Sequence, residues 1–333
     1  MATIHFDGFT QFNGLAGADL AKAMSSAGWK NAASTLTLGQ GRLTGSTALR
    51  MQQSNGNMKP LVQRTINTTA DTFWVGFAFN ATERAPICAI EGITVDWKAG
   101  ISVAGVGGTA IPARNIWYYY EIEVDRKNQK FRVFINDALD VETDLDATLA
   151  AKTSYVLSLG AGPGYGKDSD MRFGDFYCGD SAGGKNTRWH PIQITTRLPD
   201  ADYVVPGGNA PPVWNPSSGS DHYKMVNRIP ADGTSYIQSG TSGAMDLFSS
   251  SVSLPDNSNV VAVGLIAQAK KTDIDNRKLG MVFGGPGAQI EVVQNNLDTD
   301  WGMFYAFFDK APGGGDWTTD DAEHLPFGVV VRP

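Results

Sequence analysis

From Trp117 to Asp125 the sequence alternates, and that alternation limits the fold more than any other feature. Tyr118, Tyr120, Ile122 and Val124 fall on one side, and Tyr119, Glu121, Glu123 and Asp125 on the other. A period of two sends successive side chains to opposite faces of a strand and suits no helix. After the polar turn at 126–129, residues 130–136 resume the pattern, so the two segments read as a β-hairpin.

The same texture recurs at 43–51, 61–66, 72–79, 93–97, 154–159 and 171–178, each run bounded by turn residues. Gly and Pro are frequent, 38 and 16 of 333 residues, which leaves little room for long helices. From 179 to 221 the pattern thins. One strand is predicted at 190–197, and Pro206–Pro212 and Asn215–Ser220 are linker chemistry. A second strand series begins at Tyr223 and continues at 234–238, 245–248, 260–269, 278–283, 289–293, 303–308 and 327–331. Two short helices are predicted, at 17–27 with Asp19 near its start and at 318–325 with Thr318 and Asp321 as a cap. The expectation is an all-β chain, two β-sandwich domains in tandem with few short helices, divided as 1–198 and 199–333.

Charge restricts the partners. Residues 1–190 hold 18 Lys/Arg and 18 Asp/Glu, a balance of zero, and 191–333 hold 9 and 16, which gives the net −7. With no basic stripe to release counterions, nucleic-acid binding is not expected. Only 18 % of residues are charged, below the usual ~25 %, so the surface is rich in Ser, Thr, Asn and Gly. No apolar run is long enough to span a membrane, and the first residues lack the charged and apolar regions of a signal peptide. The chain is therefore expected to fold in a cytoplasm. Cys88 and Cys178 read as two buried free thiols, with a disulfide as the alternative.

The most enzyme-like feature is the carboxylate run Glu121-Ile-Glu-Val-Asp125. Glycoside hydrolysis needs one proton-bearing and one ionised carboxyl, and Glu121 and Asp125 are the pair the sequence offers. The competing reading is a solvent-facing strand whose charges are matched by Arg126, Lys127 and Arg132. None of the four histidines, His5, His190, His222 and His324, lies near a nucleophile elbow. Trp189 and His190 before Pro191 read as an edge-strand packing pair. The glycine-rich loop from Gly160 to Asp168 fails the phosphate-loop pattern at Ala161 and Asp168. Asp168/Asp170, Asp273/Asp275, Asp298/Asp300 and Asp320/Asp321 could offer oxygen to a calcium ion, but none has dedicated spacing, and no metal or cofactor is expected. Tyr165, Trp189 and Trp214, in or beside loops, are the candidate ligand-binding residues, since an aromatic face can stack a sugar ring.

The N-terminal part resembles concanavalin-like and laminin-G-like jelly rolls. The residues that carry this are Phe6–Phe9, Gly45–Arg50, Phe73–Phe79, and Trp117–Asp125 with Phe131–Asn136. Asp137 stands where glycine usually follows the asparagine, and Asn128 sits in a turn that often holds glycine; both residue types tolerate a positive φ. The whole chain resembles virion proteins of tailed bacteriophages. Phe176–Asp180, Ile194–Asp202, Trp214–Gly219, Asp232–Tyr236 and Trp317–Val331 carry that likeness. It implies a structural, non-enzymatic component of the particle, a homotrimer at the tail tip or tail fibre. Other virion proteins and a host-surface glycan or protein are the implied partners. A capsid-surface decoration protein and a β-sandwich glycoside hydrolase using Glu121 and Asp125 are the alternatives.

Overall fold

The structure is a computed structural model that describes residues 2–30, 36–53, 62–160, 169–183, 187–205, 214–251, 253–272, 276–295 and 297–333. The fold is all-β, and the chain divides into two compact units, Met1–Thr195 and Thr196–Pro333.

In the first unit, two antiparallel sheets face each other. The larger runs Ala138–Asp144, Lys130–Ile135, Tyr118–Asp125, Thr72–Ala81, Ser169–Asp180, Thr47–Gln53 and Leu36–Gln40, with Ala2–Asp7 also paired to Ser169–Asp180. The smaller runs Val106–Gly107, Ile101–Val103, Ile93–Trp97, Pro86–Ile90, Ser154–Leu159, Val62–Asn67 and Trp29–Lys30. The alternation read from the sequence decides which side chains lie between them. Phe73, Val75, Phe77, Tyr120, Ile122 and Val124 are buried on the inner face. Phe73 meets Tyr155 of the smaller sheet at 4.7 Å between ring centroids, and Phe79 meets Trp97 at 6.5 Å. Cys88 and Cys178 are buried free thiols. Burial raises both, Cys178 to about 12, which removes them as nucleophiles.

The second unit is built on the sheet Ala201–Asp202, Met245–Ser249, Phe327–Arg332, Lys278–Phe283 and Ile290–Gln294, with Val263–Ala269 paired to Gly302–Phe308. Phe283, Phe308 and Trp317 centre its core, and the Trp317 indole donates to Phe308 O at 2.8 Å. Thr318 and Asp321 form the expected capping box on helix Thr319–His324. Arg197 closes the other end of this helix by donating to the carbonyls of Ala322 and Glu323.

Three sequence expectations are corrected. The strand series does not begin at Tyr223: Tyr223–Val226 is a short helix, because Asp202 accepts the His222 and Tyr223 N–H groups and turns the chain there. Only Ile237–Gln238 of the 234–238 run is strand, since Asp232 accepts from the N–H groups of Thr234 and Ser235 and holds a turn. Residues 190–197 join no sheet. The sequence reading also missed Ala138–Asp144. The Asn136–Asp137 turn that leads into it has φ of 46° and 78°, the left-handed pair a tight hairpin requires.

Candidate functional site

The outer face of the larger sheet carries the alternate set of side chains, and strand register arranges them in rows. Phe134 is opposite Glu121, Glu121 opposite Gly76, and Gly76 opposite Tyr177. The next row is Arg132, Glu123, Trp74 and Gly179. Gly76 is what makes the first row possible, because a Cβ there would lie 2.0 Å from the Tyr177 ring. The ring lies over that gap, and the Tyr177 hydroxyl donates to Glu121 Oε1 at 2.6 Å. In the second row the Trp74 indole donates to Glu123 Oε2 at 2.9 Å, and Arg132 pairs with Glu123 and Glu142.

A β-bulge between Gly174 and Tyr177 inserts Asp175 with φ 47° and aims its carboxylate at this face. Asp175 Oδ2 accepts from Arg42 at 3.2 Å, its carbonyl accepts the Tyr119 hydroxyl at 3.0 Å, and Arg42 lies over the Tyr119 ring.

Residues 187–195 cross these rows as a strap that belongs to no sheet. Arg188 Nη1 lies 2.5 Å from both Glu121 Oε2 and Asp137 Oδ1, with its guanidinium 4.0 Å over the Phe134 ring. The Trp189 ring stacks on Tyr177 at 4.7 Å, and the Trp189 backbone N–H donates to the Tyr177 hydroxyl at 3.1 Å. His190, with φ 65°, places Nδ1 2.6 Å from Asp137 Oδ1. Arg42 donates to Ile192 O at 2.6 Å, and Ile194 N–H donates to Asp175 Oδ1 at 3.0 Å. Ile192 packs on the cluster of Trp74, Ala78, Tyr119 and Tyr177, and Ile194 fits against Gly8, where a Cβ would be 2.9 Å away.

Under the strap, Glu121 is 1 % exposed and Tyr177 fully buried. Burial is the largest influence on Glu121 and raises its carboxyl, against the downward pull of Tyr177 and Arg188. Burial likewise raises Asp175, against Ile194 N–H and Arg42, and raises the Tyr177 hydroxyl well above the ordinary range. Asp137, half exposed, is held below the usual value first by its bond to His190 and also by Arg188.

The sequence candidates scatter. Glu121 is central, but Asp125 serves the turn. Both its oxygens accept from Asn128, and Arg132 is 3.3 Å away. The charge matching assigned to Arg126 and Lys127 is also corrected: Arg126 donates to the carbonyls of Ala70 and Ala150, and Lys127 faces Asp71. Trp189 is in the strap, though not on an edge strand. Trp214 belongs to the second unit, where it packs on the core and donates to Ala244 O. Tyr165 lies outside the described residues, as do Asp168, Asp273 and Asp275. Among the described residues, no group of three or more His, Cys, Asp or Glu is placed to hold a metal ion, and no helix is long and apolar enough to cross a membrane. Arg188 and Tyr177 were not anticipated as site residues. The lone glycine within the aromatic strand 72–79 was the available signal that another side chain approaches there.

No family model and no curated protein matches the chain. Solved structures do. The marine alginate lyase AlyA1 from Zobellia galactanivorans, of polysaccharide lyase family 7, is 9 % identical with a TM-score of 0.30, over 40 % of this chain and 77 % of that one. Cellulose induced protein Cip1 is 10 % identical at 0.32, over 44 % of this chain and 85 % of the other. A sialidase is 12 % identical at 0.29, over 45 % of this chain and 17 % of its own. Alginate lyases recur among the matches, and this overturns the expectation that the chain is not an enzyme. The reading as a non-enzymatic component is therefore withdrawn, and what those proteins act on stays with them.

Proposed function

We propose that the first unit is a carbohydrate-processing enzyme domain and that the outer face of its larger sheet meets the glycan. The observation that supports this reading is the pair of adjacent rows. They set a carboxyl with raised proton affinity beside a second carboxylate, among Trp74, Tyr119, Tyr177 and Trp189. Aromatic faces stack on sugar rings, and carboxylates and guanidinium groups take up hydroxyls. Glu121 and Glu123, two residues apart on one face, have Cα atoms roughly 6.5–7 Å apart, close enough for two glutamate side chains to reach the carboxyl separations used in glycosidic cleavage. In this reading Glu121 donates the proton to the leaving oxygen, with Tyr177 fixing its orientation. Glu123, charge-paired with Arg132, is the second carboxylate. It replaces Asp125 as the partner of Glu121.

The test is release of reducing ends from soluble neutral, amino-sugar and uronic-acid polysaccharides. Glu121→Gln and Glu123→Gln are each expected to lower the rate at least about a hundredfold, the scale of a lost acid or base. A rate that Glu121→Gln leaves unchanged would refute this assignment. A setting on a phage particle is proposed on the sequence resemblance alone. Immunogold labelling of tail ends would support the tail-tip placement, and labelling of heads alone would defeat it.

A further inference from the structure

The strap does more than cover the outer face: it places a cation in a site built to hold one. The Arg188 guanidinium sits between the Asp137 carboxylate and the buried Glu121, donates to Asp137 O at 3.0 Å, and lies against the Phe134 ring. Two carboxylates, a carbonyl and an aromatic face are the partners a cationic group seeks. Lifting the strap would leave them with no positive charge from residues 187–195. Glu121, Glu123, Asp125, Asp137 and Asp175 would then keep Arg42 and Arg132 as their ion-pair partners among the described residues, five carboxyl groups to two guanidinium groups.

The strap is also attached in a way that permits exchange. It joins no sheet ladder. Its backbone is held through side chains, the Tyr177 hydroxyl on Trp189 N–H, Asp175 on Ile194 N–H and Arg42 on Ile192 O. A glycan bearing hydroxyls and one cationic group can replace each of these partners. Departure of Arg188 would also remove one of the influences that lower Glu121, so that carboxyl would hold its proton to higher pH until another cation took the place of the guanidinium.

We propose that residues 187–195 are an internal competitor and that Arg188 occupies the subsite for the protonated amine of an amino-sugar chain. Asp137 and Phe134 bind the ammonium, and Glu121 lies beneath it. This inference rests on the reading of the outer face as the glycan-processing surface.

The test titrates β-1,4-linked glucosamine hexamer, its fully N-acetylated form and a neutral glucose hexamer into the full chain by calorimetry, at a mildly acidic pH where the free amine is protonated. Two variants open the strap from different ends. Arg188→Gln removes the cation but keeps a polar side chain able to hydrogen-bond, and Ile194→Ser loosens the contact with Gly8 without touching Glu121. A tethered competitor that occupies its site nine-tenths of the time lowers apparent affinity about tenfold. Both variants are therefore expected to bind the glucosamine hexamer about tenfold more tightly than the unaltered chain. Asp137→Asn in the Arg188→Gln background should abolish the preference over the N-acetylated form. Equal affinities for the unaltered chain and both variants would overturn the competitor while leaving the glycan face standing. A gain confined to the neutral or N-acetylated hexamer would overturn the amine subsite. If a lysine-rich peptide gained affinity and no sugar did, the glycan identity of the ligand would be overturned. Absence of binding by every form to every sugar, with folding confirmed by circular dichroism, would overturn both readings.

Discussion

The two faces of the larger sheet are buried to a similar depth by opposite chemistries. On the inner face Phe73, Phe77, Ile122 and Val124 meet a second sheet of aromatic and aliphatic side chains. On the outer face Trp74, Tyr119, Glu121 and Tyr177 are just as hidden, but there the strap adds hydrogen bonds and ion pairs to the apolar contacts of Phe6, Trp117, Trp189 and Ile192. Apolar contact is non-directional and is lost only when the fold opens. A polar contact can be exchanged for another polar partner at small net cost, because each bond contributes only ~1 kcal/mol beyond what water offers. The inner face therefore serves stability, and the outer face is suited to exchange its cover for a ligand.

Substitutions should separate the two faces. The largest effect belongs to the inner one: Phe77→Ala is expected to cost about 3–5 kcal/mol in denaturant unfolding of the first unit. A similar loss confined to the strap, with the sheets intact, would contradict this division of labour.

Acid gives the next effect. His5, fully buried beside Asp7, has its pKa lowered by burial to about 4 from an ordinary 6.5. The folded chain holds it neutral while the unfolded chain protonates it. Its contribution is thus fully present above pH 6.5, declines as pH falls from there, and has lost about 3 kcal/mol at pH 4. Unfolding midpoints measured across that window should show the decline, and His5→Gln should flatten it.

Gly76→Ala is expected to cost about 1–3 kcal/mol and to displace the Tyr177 ring, since the new methyl group cannot share its space. Loss of exchange protection at the Trp189 amide would report that displacement. Arg132→Ala, at a partly exposed ion-pair network, should cost less than about 1 kcal/mol, and a larger loss would mean the second row contributes more rigidity than its exposure suggests.

How much of this was legible in the sequence follows the same division. Period-two alternation placed Tyr119, Glu121, Glu123 and Asp125 together on one face and Tyr120, Ile122 and Val124 on the other, because side-chain direction in a strand is local. What alternation cannot tell is what covers a face. Tyr177 is 56 residues and Arg188 67 residues from Glu121, and only strand register and the path of the strap bring them to it. For the same reason residues 190–197 read as a strand: a segment can alternate in sequence whether it joins a ladder or crosses over one. The turns were legible in kind but not always in detail. Asp137 takes the positive φ anticipated for it, joined by Asn136 before it, whereas in the 126–129 turn it is Gln129, at 54°, that does so, and Asn128 bonds back to Asp125.

The central claim, that a glycan takes the place of the strap on the outer face, is tested most directly by amide hydrogen exchange with and without saturating glucosamine hexamer. The Trp189 and Ile194 amides are expected to lose protection while Tyr118–Asp125 and Ser169–Asp180 gain it. Unchanged exchange in residues 187–195, with protection appearing only elsewhere in the chain, would contradict it.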